Sequence, residues 1–230
     1  MGSGVGSVPT IDLTPWFAGS DEDRRDVADQ VDKALQSVGF FLLTGHGVTA
    51  DERAGVRAAA RRFFAVPDEV KRAYAVTVGG RGWLPPGVEA NGYAEGTPTP
   101  PDLKESFAVG ADTKTGVPDV DEYWFPDNVF PEEVAELRAC VTGYLARMRA
   151  LADELLTVAA VSLGQPAEFF TRHTGHSTYT MNINWYPPMS LAGPPADGQF
   201  RIGPHTDFGD LHHPGPGARQ GRSAGLEPGR

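Results

Sequence analysis

Near the C-terminal end of the 230-residue sequence, Arg201-Ile202-Gly203-Pro204-His205-Thr206-Asp207-Phe208-Gly209 sets an imidazole two residues before a carboxylate. On an extended run, residues i and i+2 point to the same face, so His205 and Asp207 could reach one metal ion. One His, one carboxylate and a further His on one face of an octahedron, with the remaining positions open, is an arrangement that suits Fe(II). A His-x-Asp tripeptide is weak by itself, since a surface His beside a turn Asp is the ordinary reading. The stretches upstream strengthen it.

The most informative of these is Tyr179-Thr180-Met181-Asn182-Ile183-Asn184-Trp185-Tyr186. Strand alternation puts Tyr179, Met181, Ile183 and Trp185 on one face and Thr180, Asn182, Asn184 and Tyr186 on the other. An apolar outer face and a hydrogen-bonding inner face suit a barrel wall lining a polar pocket. An ordinary half-exposed strand is the competing reading. Pro187-Pro188 ends the strand, and a Gly/Pro loop leads through Phe200 to the strand expected around His205.

The elements that must position these residues follow from patterning. Val8-Pro9-Thr10-Ile11-Asp12-Leu13 reads as a short extended segment. Ser20 and Asp23 form a capping box. Behind it, Val27, Val31, Leu35 and Val38 at helical spacing predict a helix from about Asp21 to Val38, stopped by Gly39. Phe40-Phe41-Leu42-Leu43-Thr44 has strand length and closes on Gly45-His46-Gly47. Thr49 and Glu52 form a second capping box for a helix that runs through Arg61, Phe63 and Phe64 and ends before Pro67.

Residues 77–101 are rich in Gly and Pro and predict a long irregular segment. A strand follows within Asp102 to Val109. Pro131 suits the first turn of a helix. From there Val134, Leu137, Val141, Tyr144, Met148, Leu151, Leu155, Val158 and Ser162 predict one long helix from Pro131 to Leu163, with Gly164 as its stop. That stripe is core packing and carries no chemistry.

Composition bounds the function classes. Length and a 40% hydrophobic content fit one domain with a substantial core. The net charge of −10 argues against nucleic acid or an anionic membrane as partner. No apolar run approaches membrane-spanning length, and the Gly/Ser-rich opening has no signal-peptide core. The single cysteine, Cys140, lies within a helical pattern. It is read as a buried structural thiol in a reducing, cytoplasmic setting.

With these residues in hand, the chain resembles the isopenicillin N synthase-like, 2-oxoglutarate/Fe(II)-dependent dioxygenases. The matching segments, in family order, are Val8 to Leu13, Gly39-Phe40-Phe41 with His46-Gly47-Val48, and Phe63 to Pro67 with Glu69 and Lys71. Arg81-Gly82-Trp83, Asp102 to Phe107, Asn184 to Pro188 and His205-Thr206-Asp207 complete them. Each is modest, but seven in order are together specific.

The resemblance implies an α+β, mainly β fold: a double-stranded β-helix (jelly-roll) core behind an N-terminal helical region and one long central helix. It implies iron held by His205 and Asp207, and 2-oxoglutarate contacted by Tyr186, with Asn184 near the metal end of the pocket. The expected chemistry is hydroxylation, desaturation or ring closure of a small molecule, with Fe(II) as cofactor and 2-oxoglutarate as co-substrate. The expected divisions are 1–110 for the N-terminal region, 111–208 for the central helix and first part of the core, and 209–230 for a tail.

The sequence departs from the family after Asp207. Relatives carry a second iron-binding His and then an Arg-x-Ser for the distal carboxylate of 2-oxoglutarate; neither is recognisable here. Residues 209–230 are rich in Gly and Pro and predict disorder. His212 or His213 could supply the third ligand only from a flexible tail, and His173 and His176 read as loop or surface residues. Reading G/C-rich codons from Gly209 onward displaced by one base yields an apolar strand-like run, a glycine turn and Gly-Leu-Gln-Val-Trp. A frameshift near codon 209 is therefore expected, leaving a truncated core that is poorly soluble and inactive. Two alternatives remain: an oxidase of the same fold that uses no 2-oxoglutarate, and a shortened protein that only binds. Substrate and oligomeric state are not legible.

Overall fold

The computed structural model describes residues 7–91 and 99–205. A parallel pair opens the chain: β1 (Thr10–Asp12) lies beside β2 (Leu42–Thr44), with Ile11 opposite Leu43. Between them run α1 (Thr14–Ala18) and α2 (Asp21–Ser37). The Ser20 hydroxyl accepts from the Asp23 amide, and the Asp23 carboxylate accepts from the Ser20 amide, so the expected capping box is present. Gly39 ends the helix at φ +78°, a left-handed conformation that side-chain-bearing residues resist, with its amide bonded back to the Ala34 carbonyl.

The second capping box, Thr49 with Glu52, opens α3 (Ala50–Phe64), and the short α4 (Asp68–Lys71) follows Pro67. Within the stretch predicted to be irregular lies β3 (Gly82–Leu84), all three residues buried. It was illegible because a three-residue strand flanked by Gly and Pro offers too few positions for alternation to register. β3 pairs antiparallel with β4 (Glu105–Gly110), which pairs antiparallel with β5 (Thr180–Trp185). β1 and β2 form a separate sheet.

Between β4 and β5 lie α5 (Pro118–Trp124) and α6 (Ala135–Ser162). The long helix is shorter than predicted at its start. Pro131 precedes a 3₁₀ turn over Glu132–Val134, and the α-helix begins only at Ala135. Its 28 residues span about 42 Å at 1.5 Å per residue. A short α7 (Met189–Ala192) follows β5.

α6 is the spine on which both halves of the core rest. Its first turns bury Leu137 and Val141 with Val56 and Phe63 of α3 and with Trp83, Phe107 and Val109 of the three-stranded sheet. Its later turns bury Leu151, Leu155 and Val158 with Ile11, Leu13 and Trp16 and with Val27 and Val31 of α2. The Phe63 and Phe107 rings meet edge to face at 4.9 Å between centroids.

The strand expected around His205 is not formed by its described residues. Residues 200–205 form no strand; they fold back on the start of β4, the Leu103 amide bonding the Phe200 carbonyl and the Gly203 amide bonding Asp102 Oδ1 at 2.9 Å. Gly203 and Pro204 interrupt the run, and the Phe200 carbonyl and Gly203 amide are satisfied by a loop contact in place of a ladder. Asp207, His212, His213 and the tail expected to be disordered lie outside the described residues. Cys140, expected to be a buried structural thiol, is half-buried on α6 and packs against the core there. No described helix is long and apolar enough to cross a membrane.

Candidate active site

The alternation read in β5 is realised. Met181, Ile183 and Trp185 pack on the core behind the sheet, whereas Thr180, Asn182 and Asn184 are exposed on the other face. β4 follows the same parity: Phe107 and Val109 face the core, and Ser106, Ala108 and Gly110 lie opposite Asn184, Asn182 and Thr180. Two strands thus build one polar wall in front of an apolar backing.

At one end of this wall the polar groups are organised. Ser106 Oγ lies 2.6 Å from Glu89 Oε2 and 2.9 Å from Asn184 Oδ1. The Lys104 ammonium, buried, pairs with Glu89 Oε2 at 2.8 Å and donates to Ser106 Oγ at 3.3 Å. Asp102 is buried too, and gathers three donors: the Asn91 amide, Asn91 Nδ2 at 2.6 Å, and the Gly203 amide. Those hydrogen bonds replace the water that the carboxylate gives up on burial.

Tyr186, immediately after β5, is half-buried. Burial pushes its phenol above the ordinary tyrosine range, and the negative charges of Asp102 and Glu89 push the same way; the Asn184 hydrogen bond and Arg201 oppose them. The phenol is therefore neutral and able to donate.

His205 is exposed, and its Nδ1 lies 2.8 Å from the Gly203 carbonyl. A carbonyl only accepts, so this contact requires a proton on Nδ1. That second-atom hydrogen bond is the usual way a metal-binding imidazole is oriented. Hydrogen bonds thus join Asp102 to Gly203 and Gly203 to His205, and the Tyr186 phenol, next to Asn184 and β5, feels the negative charge of the same Asp102. An imidazole nitrogen is a donor that suits Fe(II); Asp207, expected as its carboxylate partner, lies outside the described residues. Among the described residues no group of three His, Cys, Asp or Glu side chains could hold a metal by itself.

The other histidines take ordinary places. His46 Nδ1 accepts from the Val48 amide in the turn before α3. His173 is exposed and bonded to Arg172 Nε, and His176 is exposed. The sequence reading missed Glu89, Asp102, Lys104 and Ser106 as site residues. The available signal was the run Lys104-Glu105-Ser106-Phe107-Ala108-Val109, in which polar or small residues alternate with larger ones whose one charge, Glu105, is neutralised in the core.

Residues 8–133 match the family described as non-haem dioxygenase in morphine synthesis N-terminal. The chain is 41% identical over 208 residues to validamycin A dioxygenase from Streptomyces hygroscopicus subsp. limoneus, covering 90% of this chain and 57% of that protein. It is 29% identical over 221 residues to 2-oxoglutarate-dependent dioxygenase tropC from Talaromyces stipitatus, covering 91% of this chain and 66% of that one. Among solved structures it resembles a full-length Neurospora crassa protein in complex with alpha-KG and thymine, with a TM-score of 0.70 and 24% identity, covering 88% of this chain and 62% of that chain. A 2OG-Fe(II) oxygenase family protein from Caulobacter crescentus matches with a TM-score of 0.67 and 24% identity, covering 79% of this chain and 57% of that chain. The chain thus spans about three-fifths of the length of the curated relatives it matches.

Proposed function

The chain belongs to the 2-oxoglutarate/Fe(II)-dependent dioxygenase family, and from that premise we propose that the polar wall of β4 and β5 is part of an active site that oxidises a small molecule. The observation that supports the reading is the hydrogen-bonded link from His205 through Gly203 to Asp102, just ahead of the strand that carries Ser106 beside Asn184. His205, with Asp207, would hold the iron. The neutral Tyr186 phenol would donate to a 2-oxoglutarate carboxylate, with Asn184 beside it. When bound, the pair supplies the oxidising power that the protein's own side chains lack, coupling decarboxylation of the 2-oxo acid to hydrogen removal from a C–H bond.

The chain's own residues orient and exclude. Asp102 ties the segment bearing His205 to the strand bearing Ser106, which fixes where the imidazole sits relative to the polar wall. Glu89 neutralises Lys104, so the buried lysine adds no unpaired positive charge to this end of the wall. The three-stranded sheet would be one part of the double-stranded β-helix, with residues 1–110 as the N-terminal region and 111–208 as the central helix and first part of the core. Validamycin A and thymine, named for two of the similar proteins, are both small polar molecules, which supports a small polar substrate.

The second His and the Arg-x-Ser are not recognisable in this sequence, so turnover by the 230-residue chain is expected to be poor. Succinate formation from 2-oxoglutarate with Fe(II) tests both statements. Binding of 2-oxoglutarate that needs Fe(II) and weakens in Tyr186→Phe is expected. Binding that ignores the metal contradicts the site, and succinate production that His205→Ala abolishes contradicts the poor turnover.

A further inference from the structure

Three cationic side chains are buried among the described residues: Lys71, Arg81 and Lys104. Lys71 has Glu105 at 2.8 Å and Lys104 has Glu89 at 2.8 Å. Arg81 differs. Among the described residues no carboxylate forms an ion pair with it, and its buried Nε has no hydrogen-bond partner there. Burial alone pulls its pKa below the ordinary arginine range. A guanidinium is planar, stays protonated, and presents paired donors that match a carboxylate; leaving it desolvated without a counter-charge is costly.

The fold also makes room for this head group. A Cβ on Gly110 would stand 2.5 Å from Arg81 Cζ and Nη2 and 2.6 Å from Nε. Any side chain at position 110 would collide with the guanidinium. Gly110 shares the strand parity of Ser106 and Ala108, and its register partner is the exposed Thr180, so Arg81 lies at the far end of the polar wall from Tyr186 and His205. The Gly110 amide and carbonyl are both satisfied by the Asn128 side chain, at 2.8 and 2.9 Å, so the glycine is not consumed in bonding the arginine.

We propose that Arg81 is the substrate-anchoring residue of this polar wall and takes a carboxylate of the small molecule, its guanidinium seated in the space that the missing side chain of Gly110 provides. The inference rests on the proposed function for calling the ligand a substrate, but its chemistry is separable from the iron. A ligand held at Arg81 by its acid group would extend along Thr180 and Asn182 toward the Asn184 end of the wall.

Calorimetric titration of the metal-free 230-residue chain with phenylacetate, and with its neutral isostere phenylacetamide, tests this without iron or 2-oxoglutarate. Saturable phenylacetate binding is expected, with the amide weaker by about tenfold or more, the factor a charge-assisted pair commands. Arg81→Met should abolish the preference and Arg81→Lys should keep part of it. Gly110→Ala, which crowds the guanidinium while keeping its charge, should weaken the acid. Acid and amide binding equally, or no saturable binding of the acid by the wild-type chain, overturns the inference with no variant required. If Arg81→Met weakens Fe(II)-dependent 2-oxoglutarate binding instead, the residue serves the co-substrate and the inference falls while the proposed function stands. Conversely, a wild-type chain that binds phenylacetate through Arg81 yet ignores Fe(II) keeps the anion site and removes the oxygenase reading.

Discussion

The Lys71 ammonium lies 2.8 Å from Oε2 of Glu105, with only 2% of the Lys71 side chain accessible to solvent. The same carboxylate oxygen accepts from Trp83 Nε1 at 2.5 Å, and the ammonium sits 4.8 Å from the centroid of the Trp83 ring. α4, β3 and β4 are thereby fastened at one point behind the polar wall. Removing one member leaves a charge buried without its partner, which costs about 3–5 kcal/mol. Lys71→Met should lower the stability of the chain by that amount in urea denaturation, and the double variant Lys71→Met/Glu105→Gln should recover part of it. Equal stability of Lys71→Met and wild type would show the pair to be dispensable.

Acid should loosen the N-terminal helices before it reaches the core. The Ser20 hydroxyl and amide hold the Asp23 carboxyl below the usual range, and the Thr49 amide and hydroxyl do the same for Glu52. A carboxyl whose folded pKa is depressed contributes stability above its unfolded pKa and loses it as pH falls through the folded value. Helix content measured by circular dichroism should therefore begin to fall as pH drops through and below the ordinary carboxylate range. Ser20→Ala and Thr49→Ala should flatten that dependence. An unchanged profile in both variants would remove the capping boxes as its cause.

Arg149 sets where β5 begins. From α6 it pairs with Asp153 at 2.9 Å, donates to the Thr174 carbonyl at 2.9 Å and to Ser177 Oγ, and lies 5.5 Å from the Tyr179 ring centroid. Arg149→Ala should cost roughly 1.5–3 kcal/mol, the range for hydrogen bonds to charged groups. Hydrogen exchange should rise selectively in residues 174–180. Exchange that rises uniformly over the chain would show Arg149 to be a general stabiliser instead.

Tyr186→Phe removes one hydroxyl and little volume. Loss of a donor to a charged group predicts a weakening of Fe(II)-dependent 2-oxoglutarate binding by about tenfold or more. Because burial raises the Tyr186 pKa, wild-type binding should not decline at the pH where exposed tyrosines ionise. Binding that is equal in the variant would place the co-substrate elsewhere.

Much of this arrangement was legible from side-chain period alone. The two capping boxes were readable because a hydroxyl and a carboxylate three residues apart satisfy each other's amides locally. The polar face of β5 was readable because one face of a period-two pattern carried every amide and hydroxyl. β3 was hidden by its length, and the start of α6 by a 3₁₀ turn that has the same sequence preferences as a helix. The segment before His205 read as a strand because Phe200 and Ile202 alternate with polar residues, but its backbone is satisfied by Asp102 and Leu103, more than ninety positions earlier. Such a partner leaves no local trace. Arg81 stood in a family-like motif without a role, because an absent counter-charge can be seen only after folding has brought the carboxylates to other cations.

The most direct test of the oxygenase reading is an anaerobic Fe(II) titration of the 230-residue chain and of His205→Ala, each with and without 2-oxoglutarate. One weakly held Fe(II) per wild-type chain is expected, tightened by 2-oxoglutarate, with at least about a tenfold loss of affinity in the variant. Identical Fe(II) binding by both proteins, or binding indifferent to 2-oxoglutarate, would contradict it.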